Sequence, residues 1–176
     1  MKKLFEVFLF ILILVGCTKE MPNTKVEEFF SKYQQLDEEV LKELEFSMEL
    51  NPLNEQQKNL YRDLMRRQYK DLEYTIKKEV INQEDATVTV EIEVYDYSIA
   101  VKEADEFFQK NQNYFINEEN KVDENKYIDY KLELMKDIKD RIKYTIDLKV
   151  KRSDKSWIVE NLNQMDREKI HGLFTY

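Results

Sequence analysis

The stretch that decides the fold is Asp85-Ala86-Thr87-Val88-Thr89-Val90-Glu91-Ile92-Glu93-Val94. Its apolar and polar residues alternate strictly. Side chains along a strand point to opposite faces with a period of two, so Ala86, Val88, Val90, Ile92 and Val94 face a core while Thr87, Thr89, Glu91 and Glu93 face water. Immediately upstream, Leu72, Tyr74, Ile76 and Val80 alternate in the same way, and Asn82–Asp85 supplies a turn. Two half-buried strands joined by a short turn predict an antiparallel hairpin. Further along, Ile142, Tyr144, Ile146, Leu148 and Val150 repeat the pattern. Ser153–Ser156 turns that strand, and Trp157 to Leu162 returns as a second hairpin.

Around the hairpins the period changes to that of helices. Thr24-Lys25-Val26-Glu27 has the spacing of a capping box, and Val26, Phe29, Phe30 and Tyr33 follow at helical offsets. A second helical run after Asp37 carries Val40, Leu41, Leu44 and Met48 and stops at Asn51-Pro52. Asn54 and Gln57 form a further cap before Leu60, Leu64 and Met65, with that helix ending near Gln68. Between the hairpins, a helix from about Ser98 places Ile99, Ala100, Ala104, Phe107 and Phe108 on one side. Ile128, Leu132, Met135 and Ile138 mark another helix, after a polar segment, Asn117–Asn125, expected to be a mobile loop. A last helix from Asn163 to His171 stops at Gly172. The order ααα-ββ-αα-ββ-α predicts an α+β fold, a four-stranded antiparallel sheet packed on one face by helices.

The first residues carry a different signal. Met1-Lys2-Lys3 precedes an apolar run from Leu4 to Val15 interrupted only by Glu6, the charged and apolar regions of a secretory signal. At Thr18 the run is already over, short of the roughly 20 apolar residues that span a bilayer. Leu14-Val15-Gly16-Cys17 matches the lipobox of bacterial lipoproteins. A small residue at Gly16 lets the signal peptidase cut before Cys17, whose thiol accepts a diacylglyceryl group; two acyl chains suffice for stable anchoring. Cys17 is the one cysteine in the chain, so an exported protein has no internal disulfide and lipidation accounts for the odd thiol. These residues divide the chain into a signal helix (1–16), a lipidated tether (17–24) and one globular domain (25–176). They predict an extracytoplasmic, membrane-anchored protein of the cell envelope.

Composition narrows the chemistry. Without Lys2, Lys3 and Glu6, the 28 basic and 36 acidic residues become 26 and 35, a net charge of −9 on 160 residues. Nucleic-acid binding, which needs a concentrated basic footprint, is not expected. Only Gly172 remains of the two glycines, which leaves no glycine-rich phosphate loop, dinucleotide fingerprint or nucleophile elbow. No cofactor is implied. His171 is the one histidine and sits where a helix dipole favours a cation, so it reads as a cap or surface residue rather than a base. The acidic pairs Glu38-Glu39 and Asp123-Glu124 lack the spacing of a calcium loop, and no metal is expected. Lys136, Lys139, Arg141, Lys143, Lys149, Lys151, Arg152 and Lys155 form a basic segment, readable as a docking face for anionic polymer or as edge-protecting lysines.

The hairpin sequences also carry a resemblance. Asp85 to Ile92 is similar to the "D-x-A-T-V-T-V" strand, and Lys149 to Val159 to the "K-x-D-G-K-W-x-I/V" hairpin, of small lipoproteins from low-GC Gram-positive bacteria. Their folded part is nuclear transport factor 2-like or cystatin-like. Lys155-Ser156 stands where those families have Gly-Lys. The likeness spans roughly residues 25–174 and implies a fold and a location, since fold does not imply function. In that superfold the sheet and its covering helix often enclose a pocket. Tyr95, Asp96, Tyr97 and Tyr144 are the candidates to line one here, with Asp96 the carboxylate suited to proton transfer of the ketosteroid isomerase kind. The expectation that follows is a non-enzymatic binding or assembly module with an envelope protein partner; a pocket for a small apolar ligand is the alternative.

Overall fold

A computed structural model describes residues 20–50, 52–154 and 156–175. Its helices and strands follow the predicted order: α1 (Pro22–Gln34), α2 (Glu38–Glu49), α3 (Glu55–Lys70), β1 (Glu73–Asn82), β2 (Asp85–Tyr95), α4 (Tyr97–Lys110), α5 (Glu124–Asp137), β3 (Arg141–Ser153), β4 (Ser156–Val159) and α6 (Gln164–Ile170). A short 3₁₀ turn, Gln112–Phe115, joins α4 to the segment before α5. The four strands form one antiparallel sheet in the order β1-β2-β3-β4. Two hairpins therefore lie side by side, and β2 pairs with β3 along its whole length from Asp85↔Lys151 to Tyr95↔Arg141.

That register stacks the apolar faces. Ala86, Val88, Val90 and Ile92 oppose Val150, Leu148, Ile146 and Tyr144, and all eight are at most 5% exposed. Helices cover this face, with Val26 and Phe30 of α1, Leu64 and Met65 of α3, and Leu132 and Met135 of α5 all buried. Each such side chain is worth roughly 1.5–3 kcal/mol removed from water. The opposite face stays open and is laddered with charge: Lys143 sits within 3.6 Å of Glu91 and 3.4 Å of Glu93, and Lys77 within 3.2 Å of Glu91.

Strand β1 departs from its predicted alternation. Ile76 pairs with Val90 but Lys78 pairs with Thr89, so Lys77 is an extra residue, a β-bulge. One extra residue exchanges the faces of everything beyond it. Val80, expected in the core, is paired with Thr87 and 49% exposed, while Glu79 moves to the helix-covered side opposite Val88. There the Glu79 carboxylate accepts a hydrogen bond of 2.9 Å from the Asn23 N–H in the first turn of α1. This supplies what Met21 at the N-cap cannot, since no side chain of α1 caps its own start.

Three smaller expectations also change. Helix α1 begins at Pro22, where proline's fixed φ suits the first helical position, so Thr24 lies inside the helix and the Thr24–Glu27 capping box does not form. Ile99, in the first turn of α4, is 40% exposed; the packed side of that helix runs through Tyr97, Ala100 and Ala104. The Asn117–Asn125 segment is held by a bridge between Ile116 and Val122 and by the Asn117 side chain, which accepts from the N–H groups of Glu119 and Lys121. The cap expected on α3 does form. Asn54 and Gln57 form a reciprocal capping box on α3, and Asp37 and Asp123 cap α2 and α5.

Gly172 closes α6 with a Schellman pair: its N–H donates to Lys169 O at 3.0 Å, and that of Leu173 to Glu168 O at 2.9 Å. Its φ is +69°, and a β-carbon there would overlap the carbonyl oxygen of Tyr95 and the amide of Gln68. Both constraints act together, so Gly172→Ala should lower the unfolding free energy by about 2 kcal/mol or more, combining left-handed strain with overpacking. Denaturant titration measures this, and a loss under 0.5 kcal/mol would contradict the close approach.

Candidate functional site

The four residues singled out for a pocket are not gathered around one cavity. Tyr95, at the end of β2, turns its hydroxyl to Asp71 Oδ2 at 2.8 Å. Arg67 lies 3.9 Å over its ring. Asp96 follows in the β2–α4 connection and accepts from the Ser98 hydroxyl. Tyr97 is wholly buried, with its hydroxyl donating to Leu64 O at 3.3 Å, and burial pushes that phenol up to about 12. Tyr144 is buried on β3 and donates to Phe174 O at 2.8 Å. The polar groups of all four thus have separate structural partners. Alternation of Tyr, Asp and Tyr at the strand end placed adjacent residues on different sides of the chain.

The basic segment is likewise distributed among neighbours. Lys136 pairs with Glu133, Arg141 reaches Glu73 and Glu93, and Lys143 reaches Glu91 and Glu93. Lys149 donates to the Thr87 hydroxyl at 3.0 Å. Glu38 and Glu39 pair with Lys42 and Lys32. Among the described residues, no cluster of three or more His, Cys, Asp or Glu side chains could hold a metal ion. No helix among them is long and apolar enough to cross a membrane. Gly16, Cys17 and Lys155 lie outside the described residues.

Two places have the geometry of sites. The first is a half-enclosed cavity of about 180 Å³ where α3, α4 and α5 meet the chain's C-terminal segment. Leu53, Val101, Ile128, Leu132, Met135 and Leu173 make its apolar wall, and Tyr61 and Lys131 are its two polar contributors. Burial pushes the Tyr61 phenol up to about 12 and holds the Lys131 ammonium below the usual lysine range, the Asp105 carboxylate partly opposing the latter. The capping-box residue Gln57 fixes the relation of α3 to α5 here. Its buried side-chain amide donates to Asp129 Oδ1 at 2.8 Å across the helix pair. Sequence periodicity marks Ile128, Leu132 and Met135 as a core stripe; only the packing of three helices brings Tyr61 and Lys131 to the same void.

The second is a narrow polar niche of about 60 Å³ bounded by α1, α2, α3 and α6. His171 Nε2 is 2.9 Å from the Tyr69 hydroxyl, and Tyr33 packs edge-on against Tyr69 at 5.0 Å. Glu43 and Arg167 complete the lining. His171 is the C-cap of α6, as the sequence suggested, but not as a cation. Burial first, then the nearby Arg167 charge, push its pKa down to about 4. The phenols of Tyr33 and Tyr69 are pushed up, chiefly by burial. The Tyr69–His171 pair is thus uncharged at neutral pH, with the charged Glu43 and Arg167 at its border.

No family model and no curated protein matches the chain. Among solved structures, a candidate lipoprotein of Bacillus subtilis, YcdA, aligns with 88% of this chain at 14% identity and a TM-score of 0.43. The alignment covers 47% of the YcdA chain, so this chain spans about half its length. A likeness of that degree carries no argument about fold or activity.

His171 gives the niche a pH signature. A base whose folded pKa lies below its unfolded value of 6.5 is protonated preferentially in the unfolded state. Its neutral form supports the fold above pH 6.5, and that support is lost as pH falls from 6.5 toward 4. The loss should amount to about 3 kcal/mol at most. Stability curves across this range, compared with His171→Gln, test it. An NMR titration midpoint of His171 near 6.5 in the folded protein would show the ring is not held neutral.

Proposed function

We propose that this chain is a lipid-anchored protein of the cell envelope, attached through Cys17, whose folded part is a non-enzymatic binding or assembly module on the extracytoplasmic face. The observation that carries the reading is the Leu14-Val15-Gly16-Cys17 motif directly ahead of a fold that begins almost at once. Glu20 already belongs to the domain. Its carboxylate accepts from the Trp157 N–H at 3.3 Å and pairs with Lys25. Only Thr18 and Lys19 separate it from Cys17, so the anchor lies within about 11 Å of Glu20.

That distance selects which end of the domain faces the bilayer. Trp157 is on β4, next to the turn from β3, and Glu79, which caps α1, is close to the turn from β1 to β2. The two turns adjoin, with the Arg152 N–H donating to Glu84 O at 2.7 Å. Met21, Val80, Ile81 and Ile158 are all substantially exposed near this end. A partner recruited at the membrane meets the hairpin turns and the start of α1 first. Membership of the nuclear transport factor 2-like or cystatin-like group rests on the hairpin motifs and on the same arrangement of helices over one face of an antiparallel sheet. The Tyr and Asp side chains that would have favoured proton-transfer chemistry have structural partners, which leaves binding as the better account.

Metabolic labelling with palmitate tests the anchor. The native chain should incorporate label and migrate as the cleaved form, whereas Cys17→Ser should remain an unlabelled, uncleaved precursor. Normal maturation of that variant would overturn the reading.

A further inference from the structure

We propose that the cavity between α3, α4 and α5 is a binding site for a small organic anion, a carboxylate carried on a body the size of a benzene ring or short alkyl chain. The inference does not depend on lipid anchoring. At about 180 Å³ the cavity is comparable with the roughly 150 Å³ apolar voids that accept benzene, and smaller than the ~300 Å³ at which drug-sized sites begin. Its wall side chains are apolar apart from Tyr61 and Lys131.

Those two polar groups define the charge of the occupant. Lys131 is half-buried yet makes no ion pair with any described residue; its ammonium lies 5.4 Å from the centre of the Tyr127 ring. The nearby Asp105 carboxylate accepts the Tyr127 hydroxyl and offsets part of the Lys131 charge from beyond ion-pairing distance. Tyr61, in the second turn of α3, forms no hydrogen bond with any described residue. Neither polar atom is sealed from solvent, but each lacks a hydrogen-bond partner among the described residues, a deficit that a ligand can make good. A carboxylate relieves both at once, accepting from the ammonium and from the phenol while its apolar body fills the wall. A cation would meet Lys131 with repulsion, and a neutral alcohol would gain less than an anion from its charge. The arrangement fits the pattern of ligand sites, an apolar cavity with a few convergent polar groups.

Carbon-13 labelling of the methionine methyls lets Met135 report occupancy in the purified chain. Benzoate and hexanoate should shift the Met135 signal saturably with Kd below about 1 mM, and benzyl alcohol should bind about tenfold more weakly or worse. Lys131→Met should weaken both carboxylates about tenfold while leaving benzyl alcohol within about twofold. Because that change removes a half-buried cation, the unfolding midpoint should not fall, which separates loss of binding from loss of fold. Tyr61→Phe should weaken the carboxylates alone, by a smaller factor. In the native chain carboxylate affinity should fall as pH rises through the lowered Lys131 value, with Tyr61, Tyr127 and Asp105 the other titratable groups facing it. Absence of a saturable shift with all three compounds, equal affinity for benzoate and benzyl alcohol, or undiminished benzoate binding by Lys131→Met would each overturn the proposal.

Discussion

Where β2 leaves the sheet, its last residue has backbone groups that water cannot reach, and the buried side chain of Gln68 takes both. Gln68 Oε1 accepts from the Tyr95 N–H at 2.9 Å, and its Nε2 donates to Tyr95 O at 3.1 Å. Buried backbone donors and acceptors must be paired, and here a side-chain amide serves as a short extra strand. Several elements converge on this clasp. Gly172 packs against Tyr95 O and the Gln68 amide, Arg67 donates to Lys136 O in the last turn of α5 and to Ile138 O just beyond it, and Arg141 donates to Asp71 O and Glu93 O. Helix α3, three strand ends and the C-terminal segment are thus oriented by one junction. The wall of the apolar cavity inherits its shape from it, since Leu173 follows Gly172 directly and Tyr61 lies two turns up α3.

The two faces of the sheet solve different problems. The covered face is a continuous apolar layer whose order comes from the β2–β3 register. The open face carries most of its cations opposite carboxylates. Exposed pairs of this kind contribute little stability, typically under 1 kcal/mol each. Their effect is on recognition: a face whose lysines are already matched presents little net positive field to an anionic polymer. Lys131, half-buried at the cavity, forms no ion pair with a described residue, and the lower dielectric there makes its charge more selective than one in water.

Much of this architecture is written in local patterns. Strict alternation at Ala86–Val94 and Ile142–Val150 identifies the two central strands because both flank a dry interior and neither tolerates a break. Caps at Asp37, Asn54 and Asp123 mark helix starts through their own side chains. The misreadings share a cause, which is that the deciding partner is remote in sequence. Val80 looks buried until Lys77 is inserted opposite Thr89 and Val90, and the first turn of α1 is completed at Asn23 by Glu79, 56 residues away. Asp96 and its flanking tyrosines look like a reactive cluster until Asp71, Ser98 and Leu64 claim them one by one. His171 reads as a cation from its helix position alone; the aromatic surroundings that neutralise it come from α1 and α3. The cavity is the extreme case, since Tyr61 and Lys131 lie on separate helices and neither belongs to a motif.

The bulge at Lys77 has a bearing on how these domains live beside one another. On the anchored reading proposed above, copies would diffuse in two dimensions and collide often in restricted orientations. A ten-residue edge strand such as β1 would then be an invitation to lateral pairing, strand against strand, into ribbons along the surface. An extra residue in the middle of β1 breaks the row of backbone donors and acceptors into two short runs that are out of step. It also sets Lys77 and Lys78 where an incoming copy would bring the same charges. A defect in the ladder becomes a spacer that works against strand-to-strand pairing between copies.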